Sequence, residues 1–237
     1  MSGHSKWATT KHQKAATDKK RSNLFTKLAN LISVAARTGG DPTMNFSLRL
    51  AIDKAKAANM PRENIERAIK RGTGELAGQR IEEELYEAYG LSGTAILIEA
   101  TTDNKNRAVA EIKSILNKFG GKLAGSGSVS YLFQRKGVIK VRVSGDQSEE
   151  TELKIIDSGA EDYEKIEDGY LIYTKTDGLK TVQDKLSESG FEIESAELSW
   201  EPKETVTLSE DDAAKVIKLL ESLDELDDVS NVSSNLG

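Results

Sequence analysis

The sequence predicts an α+β protein: a small N-terminal three-helix domain followed by two ferredoxin-like α/β domains, one inserted in the other. Three observations carry this. Between Ser22 and Gly72, apolar residues recur at helical spacing in three short stretches, separated by Gly39-Gly40-Asp41-Pro42 and Asn59-Met60-Pro61. From Val138 to Leu198 the elements read β-α-β-β-α-β, the ferredoxin-like order. The stretches on either side, 94–133 and 204–232, each read β-α-β and complete one another if the middle is an insertion. The boundaries follow as 1–78, 79–136 with 204–237, and 137–203. Three domains in a row is the alternative reading of the same elements.

In the first helix Phe25, Leu28, Ile32 and Ala35 share a face, and Gly39-Gly40 stops it. Asp41 reads as the N-cap of the second helix with Pro42 in its first turn, and Leu48, Ile52 and Ala55 form its stripe. Pro61 opens a third helix carrying Ile65, Ala68 and Ile69, which ends near Gly72. Helices this short are marginal alone, so packing must stabilise them. Gly72-Thr73-Gly74 with Gly78 has no strand before it and no Lys-Ser/Thr after it. It therefore fails as a nucleotide loop and reads as a flexible joint.

After the joint, Glu82-Glu83-Glu84, flanked by Ile81 and Leu85, reads as the solvated face of a helix. Thr94–Ala100 is a strand, and Asp103 or Asn104 caps a helix with Val109, Ile112, Leu116 and Phe119 on one face. Val129–Phe133 is a strand, and Val138–Val143 begins the inserted unit. Its first helix starts at Ser148 with Leu153 and Ile156 as its apolar side. Strands at 162–166 and 170–174 meet at an Asp168-Gly169 turn, Asp177 caps a helix carrying Leu179, Val182 and Leu186, and Phe191–Leu198 closes the unit. The tail reads as a strand at Glu204–Leu208, a helix capped by Ser209 with Ala213, Val216, Ile217 and Leu220 buried, and a strand at 229–232.

Charge is distributed unevenly. Residues 1–80 hold 16 Lys+Arg against 6 Asp+Glu, a net of +10, while residues 81–237 hold 17 against 33, a net of −16. Such a basic end is suited to a polyanion, and an acidic remainder limits indiscriminate adhesion to it. The bland reading is a solvated helical face. The candidate nucleic-acid contacts in the head are His4, Lys6, Trp7, Lys11, His12, Lys14, Lys19, Lys20, Arg21, Lys27 and Arg37. Residues 1–20 lack an apolar stripe and Trp7 stands isolated there, so this arm is expected to be mobile alone and ordered on its partner. In the body, Lys105 and Arg107 lie between a strand and a helix. They read either as a phosphate site or as charged surface beside a helix cap. Gly125-Ser126-Gly127-Ser128 reads either as a close backbone approach to nucleic acid or as an ordinary turn.

The absence of cysteine removes thiol catalysis, disulfides and thiolate metal sites. Both histidines sit on the lysine-rich arm, without the fixed geometry that acid–base catalysis needs. No catalytic residue, metal or cofactor is expected. No segment approaches the roughly 20 apolar residues of a membrane span, so a cytoplasmic, non-membrane protein is expected. Nothing marks a dimerisation seam, so a monomer is expected.

Several stretches together resemble the YebC/PmpR family, which includes the mitochondrial translational activator of cytochrome c oxidase. They are Gly3-His4-Ser5-Lys6-Trp7; Gly39-Gly40-Asp41-Pro42; Asn59-Met60-Pro61 with Asn64-Ile65; Tyr86-Glu87; Thr102-Asp103-Asn104 with Asn106-Arg107; and Gly120-Gly121 followed by Gly127-Ser128-Val129. The likeness spans essentially the full length. Departures fall at Ala8-Thr9-Thr10 and Ala88–Gly93. The resemblance implies a helical N-terminal domain, two α/β domains and no established catalytic residue. It also implies either DNA-binding transcriptional regulation or action in translation on the ribosome, through ribosomal RNA or tRNA. A third reading is a protein-binding adaptor tethered by its arm. The family's basic start corresponds to Lys6, Lys11, Lys14, Lys20 and Arg21, and its polar body motif to Asp103, Asn104, Asn106 and Arg107.

Overall fold

The computed structural model describes residues 7, 18–76, 80–143 and 149–237. It is an α+β fold in which N-terminal helices precede two four-stranded antiparallel sheets. The chain divides into two compact units, Met1–Phe133 with Pro202–Gly237, and Gln134–Glu201.

The head consists of α1 (Asp18–Ala35), α2 (Phe46–Ala57) and α3 (Arg62–Thr73). Leu28, Ile32, Leu48, Ala51, Ile52, Ala55, Ile65 and Ala68 bury the stripes expected from their spacing. The cap of α2 is Asn45, whose Oδ1 accepts the Leu48 amide at 3.0 Å. Asp41 instead closes its own turn, accepting the Thr43 amide at 2.8 Å. Both residues have capping side chains; Asn45 stands immediately before the helix and also donates to the Ala35 and Gly39 carbonyls. Gly72 is not a joint. It lies inside α3 against α1, where an added Cβ would fall 2.2 Å from the Ser33 carbonyl oxygen and 2.7 Å from Ala36 Cβ. The helix ends one residue later, with Gly74 in the left-handed conformation.

In the first sheet β1 (Glu82–Tyr89) pairs with both β2 (Ala95–Thr102) and β3 (Lys122–Ala124), and β8 (Val229–Ser234) lies beyond β2. The three consecutive glutamates therefore lie on a strand, not on a helix. β2 is buried nearly throughout. Its Ile96 and Ile98 pack with Ile112 and Leu116 of α4 (Lys105–Lys118) and with Val216, Leu219 and Leu220 of the helix Glu210–Asp224, while α1 lies against β2 and β8. The expected strand at Glu204–Leu208 is reduced to one bridge, Val206 with Leu236. Residues 130–132 form a 3-10 turn, and the strand expected there begins at Phe133.

The inserted unit is built from β4 (Phe133–Arg142), α5 (Glu149–Asp157), β5 (Asp162–Ile166), β6 (Gly169–Thr174), α6 (Leu179–Glu188) and β7 (Glu192–Pro202). Its sheet order, β5-β6-β4-β7, is that of the ferredoxin-like arrangement. Gly137 lets β4 pass close to α6: a Cβ there would meet Leu179 Cβ at 2.9 Å. On α5 the buried positions are Ile155 and the following Ser158, and Leu153 and Ile156 face solvent. A nine-residue helix buries only a narrow stripe, and the expected one lay to either side of it. Gly178 precedes α6 without a side-chain cap, so Asp177 does not take that role. Ser209 does cap the last helix, α7 (Glu210–Asp224), accepting the Asp212 amide at 3.2 Å.

Candidate nucleic-acid interface

The basic head meets the first sheet through side-chain donors aimed at main-chain carbonyls. Trp7 Nε1 donates to the Val232 carbonyl at 2.8 Å, and the side chain is buried in the core between the sheet and its helices. Trp7 is therefore a core anchor, contrary to its reading as an isolated residue presented to nucleic acid. Lys27 Nζ donates to the carbonyl of Asp224, in the last turn of α7. That end of the helix holds unpaired carbonyls and the negative end of its dipole, and α7 has no basic residue of its own there. Arg37 donates to the Ile81 carbonyl just before β1. Asn30 Nδ2 reaches the Thr101 carbonyl at 3.3 Å and accepts from Arg71 at 2.9 Å through its Oδ1. Burial lowers the Arg71 guanidinium below its ordinary value, and nearby Asp103 opposes this. Lys27 thus joins the head to α7, and Arg37 joins it to the segment entering β1.

The two body cations are also engaged. Lys105 Nζ lies 2.6 Å from Glu82 and 2.5 Å from Glu84, and these carboxylates raise its pKa. This pairing explains how three glutamates are accommodated on β1: alternate residues share a face, and one lysine serves both Glu82 and Glu84. Arg107 forms a bidentate pair with buried Asp228, at 2.9 and 2.7 Å, and a third contact with Asp103 at 2.9 Å. Its pKa is raised, by Asp228 first and Asp103 second. Asn104 Oδ1 caps α4 by accepting the Arg107 amide. Of the two readings of this segment, the structure shows the helix cap with paired surface charges.

The glycine–serine loop contains an internal anion. Glu87, almost fully buried, accepts the amides of Gly127 at 2.6 Å, Val129 at 2.6 Å and Ser130 at 2.9 Å. Burial pushes the carboxyl up, and the donated amides outweigh it, leaving the group below the usual range. Those amides are therefore satisfied within the protein. A single glutamate in a strand gives no local signal of this role, which depends on partners some forty residues away.

Lys19, Lys20 and Arg21 lie within α1. His4, Lys6, Lys11, His12 and Lys14 lie outside the described residues. On α3, Arg67 and Lys70 are exposed and have no carboxylate partner among the described residues. Among those residues no group of histidines and carboxylates could hold a metal ion, and no helix is long and apolar enough to cross a membrane.

Two family models match the chain: the TACO1/YebC protein N-terminal domain over residues 5–75, and the TACO1/YebC second and third domain over residues 81–236. A protein of Pseudothermotoga lettingae named "Probable transcriptional regulatory protein" is 51% identical, across 99% of this chain and 93% of its own. One of the same name from Thermotoga maritima is 50% identical over 99% of this chain and 93% of its own. The crystal structure of a conserved hypothetical protein from Aquifex aeolicus superimposes with a TM-score of 0.91 at 48% identity, covering 98% of this chain and 97% of that one. With both models matched in sequence and the fold shared end to end, the chain belongs to the TACO1/YebC family.

Proposed function

We propose that the chain is a nucleic-acid-binding regulatory protein of the cytoplasm, acting on transcription by holding DNA through the phosphate backbone with its basic head. The observation that carries this is the charge separation: a net of +10 over residues 1–80 against −16 over the rest. The names of its relatives support the regulatory part. The cations at the start of α1 fit the same reading. Lys19, Lys20 and Arg21 are consecutive cations within the +10 head. Lys27, Arg37, Lys105 and Arg107 play a supporting part, because each already serves an internal acceptor.

The test is a salt titration of binding to a promoter-length duplex. Binding is expected to weaken steeply with salt. Replacing Lys11, Lys14, Lys19, Lys20 and Arg21 with glutamine is expected to flatten log K against log salt by up to about 4.5, at roughly 0.9 for each phosphate no longer neutralised. An unchanged slope would overturn the role of the head. Intact ribosomes serve as the competitor. If they displace the duplex near about 150 mM salt, the transcriptional reading gives way to one in translation.

A further inference from the structure

The turn that follows the glycine–serine loop presents an aromatic ring to solvent from a rigid base. Val129 and Phe133 are buried on either side, while Tyr131 between them is 63% exposed. Its backbone is fixed from several directions. Glu87 holds the Val129 and Ser130 amides, and the Leu132 amide donates to the Val129 carbonyl at 2.9 Å. Lys203 holds the turn with both ends of the residue: its amide donates to the Leu132 carbonyl at 2.9 Å and its Nζ to the Tyr131 carbonyl at 2.8 Å. On the loop's other flank, Tyr89 donates its hydroxyl to the Ser128 carbonyl at 2.9 Å, and Lys122 Nζ stands 5.9 Å from the centre of the Tyr89 ring.

Lys122 and Lys203 are both exposed, and neither is ion-paired with a carboxylate of the described residues. In an acidic body, this contrasts with Lys105 and Arg107, which are paired with carboxylates. An exposed ring on a fixed turn, with Lys122 beside Tyr89 on one flank of the loop and Lys203 giving only one of its three N–H donors to the Tyr131 carbonyl, matches what an unpaired nucleotide needs. The base has a face to stack on the ring, and the adjoining phosphates meet the lysines. A duplex base pair has both faces covered by its neighbours and cannot use the ring this way.

The geometry points to the 125–131 loop as a second contact, at which one unpaired base stacks on Tyr131 while Lys122 and Lys203 hold the flanking phosphates. This rests on the reading that the chain binds nucleic acid, and it adds that part of the partner is single-stranded. With 63% of its surface exposed, Tyr131 contributes little to the core, and thermal unfolding of each variant checks that the fold is kept.

The experiment measures fluorescence anisotropy of the full chain with labelled single-stranded twelve-mers, oligo(U) and oligo(dT), and with a duplex of equal length. Tyr131→Ala is expected to weaken single-strand binding roughly 5- to 140-fold, the range for removing one base–aromatic stack. Tyr131→Phe should retain the affinity, and duplex binding should not change in either variant. Lys122→Gln and Lys203→Gln should each reduce the single-strand salt slope by about 0.7. Preference for oligo(U) over oligo(dT) would identify the source as RNA, and equal affinity would leave the sugar unread. If the wild type binds single strands and Tyr131→Ala binds them equally well, the inference is wrong. Binding of duplex but of neither single strand would remove this inference and leave the proposed function standing. Failure to bind any of the three would remove both.

Discussion

Two polar segments of the first sheet domain, one charged and one not, differ in what they leave at the surface. The segment at 103–107 is rich in polar and charged residues, yet its two cations are turned to Glu82 and Glu84 of β1, to Asp228 just before β8 and to Asp103. The loop at 125–131 has no charged residue, yet its amides are held by the buried Glu87, and it presents Tyr131 to solvent. The number of charges written into a loop is therefore a poor guide to the charge it offers a partner. What decides is whether the fold supplies an internal counter-charge. The first loop uses its cations to fasten α4 to β1 and to the segment before β8; the second uses an anion from elsewhere to fix a turn.

Removing that anion should have the largest effect. Glu87→Ala leaves three amides without their acceptor, one of them that of buried Val129. It is expected to cost roughly 2–3 kcal/mol in urea unfolding. It also carries a pH signature. The carboxyl is depressed in the folded protein, so its stabilisation is complete above the unfolded-state value near 4.5. The contribution is lost as pH falls through the lower folded value. The wild type should lose stability through that window faster than Glu87→Ala does. Parallel acid limbs in the two proteins would show that the carboxylate is not what fixes the turn.

The contrasting loop should respond less. Asp228→Ala removes both hydrogen bonds of the bidentate pair, but Arg107 is half exposed and keeps Asp103, so solvent screens the loss. A cost of about 1–2 kcal/mol is expected by the same unfolding measurement. A loss as large as that of Glu87→Ala would erase the distinction between the loops. The smallest effect is expected for Lys105→Gln. Its melting temperature should be indistinguishable from that of the wild type, and duplex affinity should not change. A clear fall in affinity would show that Lys105 exchanges its glutamates for phosphate when nucleic acid binds.

The head was legible in sequence because its pattern is local. Phe25, Leu28 and Ile32, then Leu48, Ile52 and Ala55, announce their helices within a few residues. The inserted unit was legible because its elements follow one another in the ferredoxin-like order. The first sheet was less so, for a physical reason: its strands are specified by partners far along the chain. Glu82, Glu83 and Glu84 show no apolar alternation and suit a helix surface. They form a strand because β2 pairs with them and Lys105 neutralises two of them. Val129, Tyr131 and Phe133 alternate like one face of a strand, and contacts invisible to any local window, from the Glu87 carboxylate and from Lys203, hold the turn that separates Tyr131 from its neighbours. At the candidate interface the abundance of cations could be read directly, but their availability could not. Lys27 and Arg37 look like any other basic residues until the carbonyls of Asp224 and Ile81 are found beside them.

The inserted unit leaves and re-enters its host on β4 and β7, which are neighbours in its own sheet. Once folded, it holds its two ends a strand spacing apart. For the surrounding chain, the entropy of closing the gap between β3 and α7 is then set by that short separation and not by the length of polypeptide within it. The host sheet can gather its last strand, β8, as though only a tight turn intervened. The order of events matters: an unfolded insert presents a long, costly loop, so folding of the insert first makes assembly of the host easier.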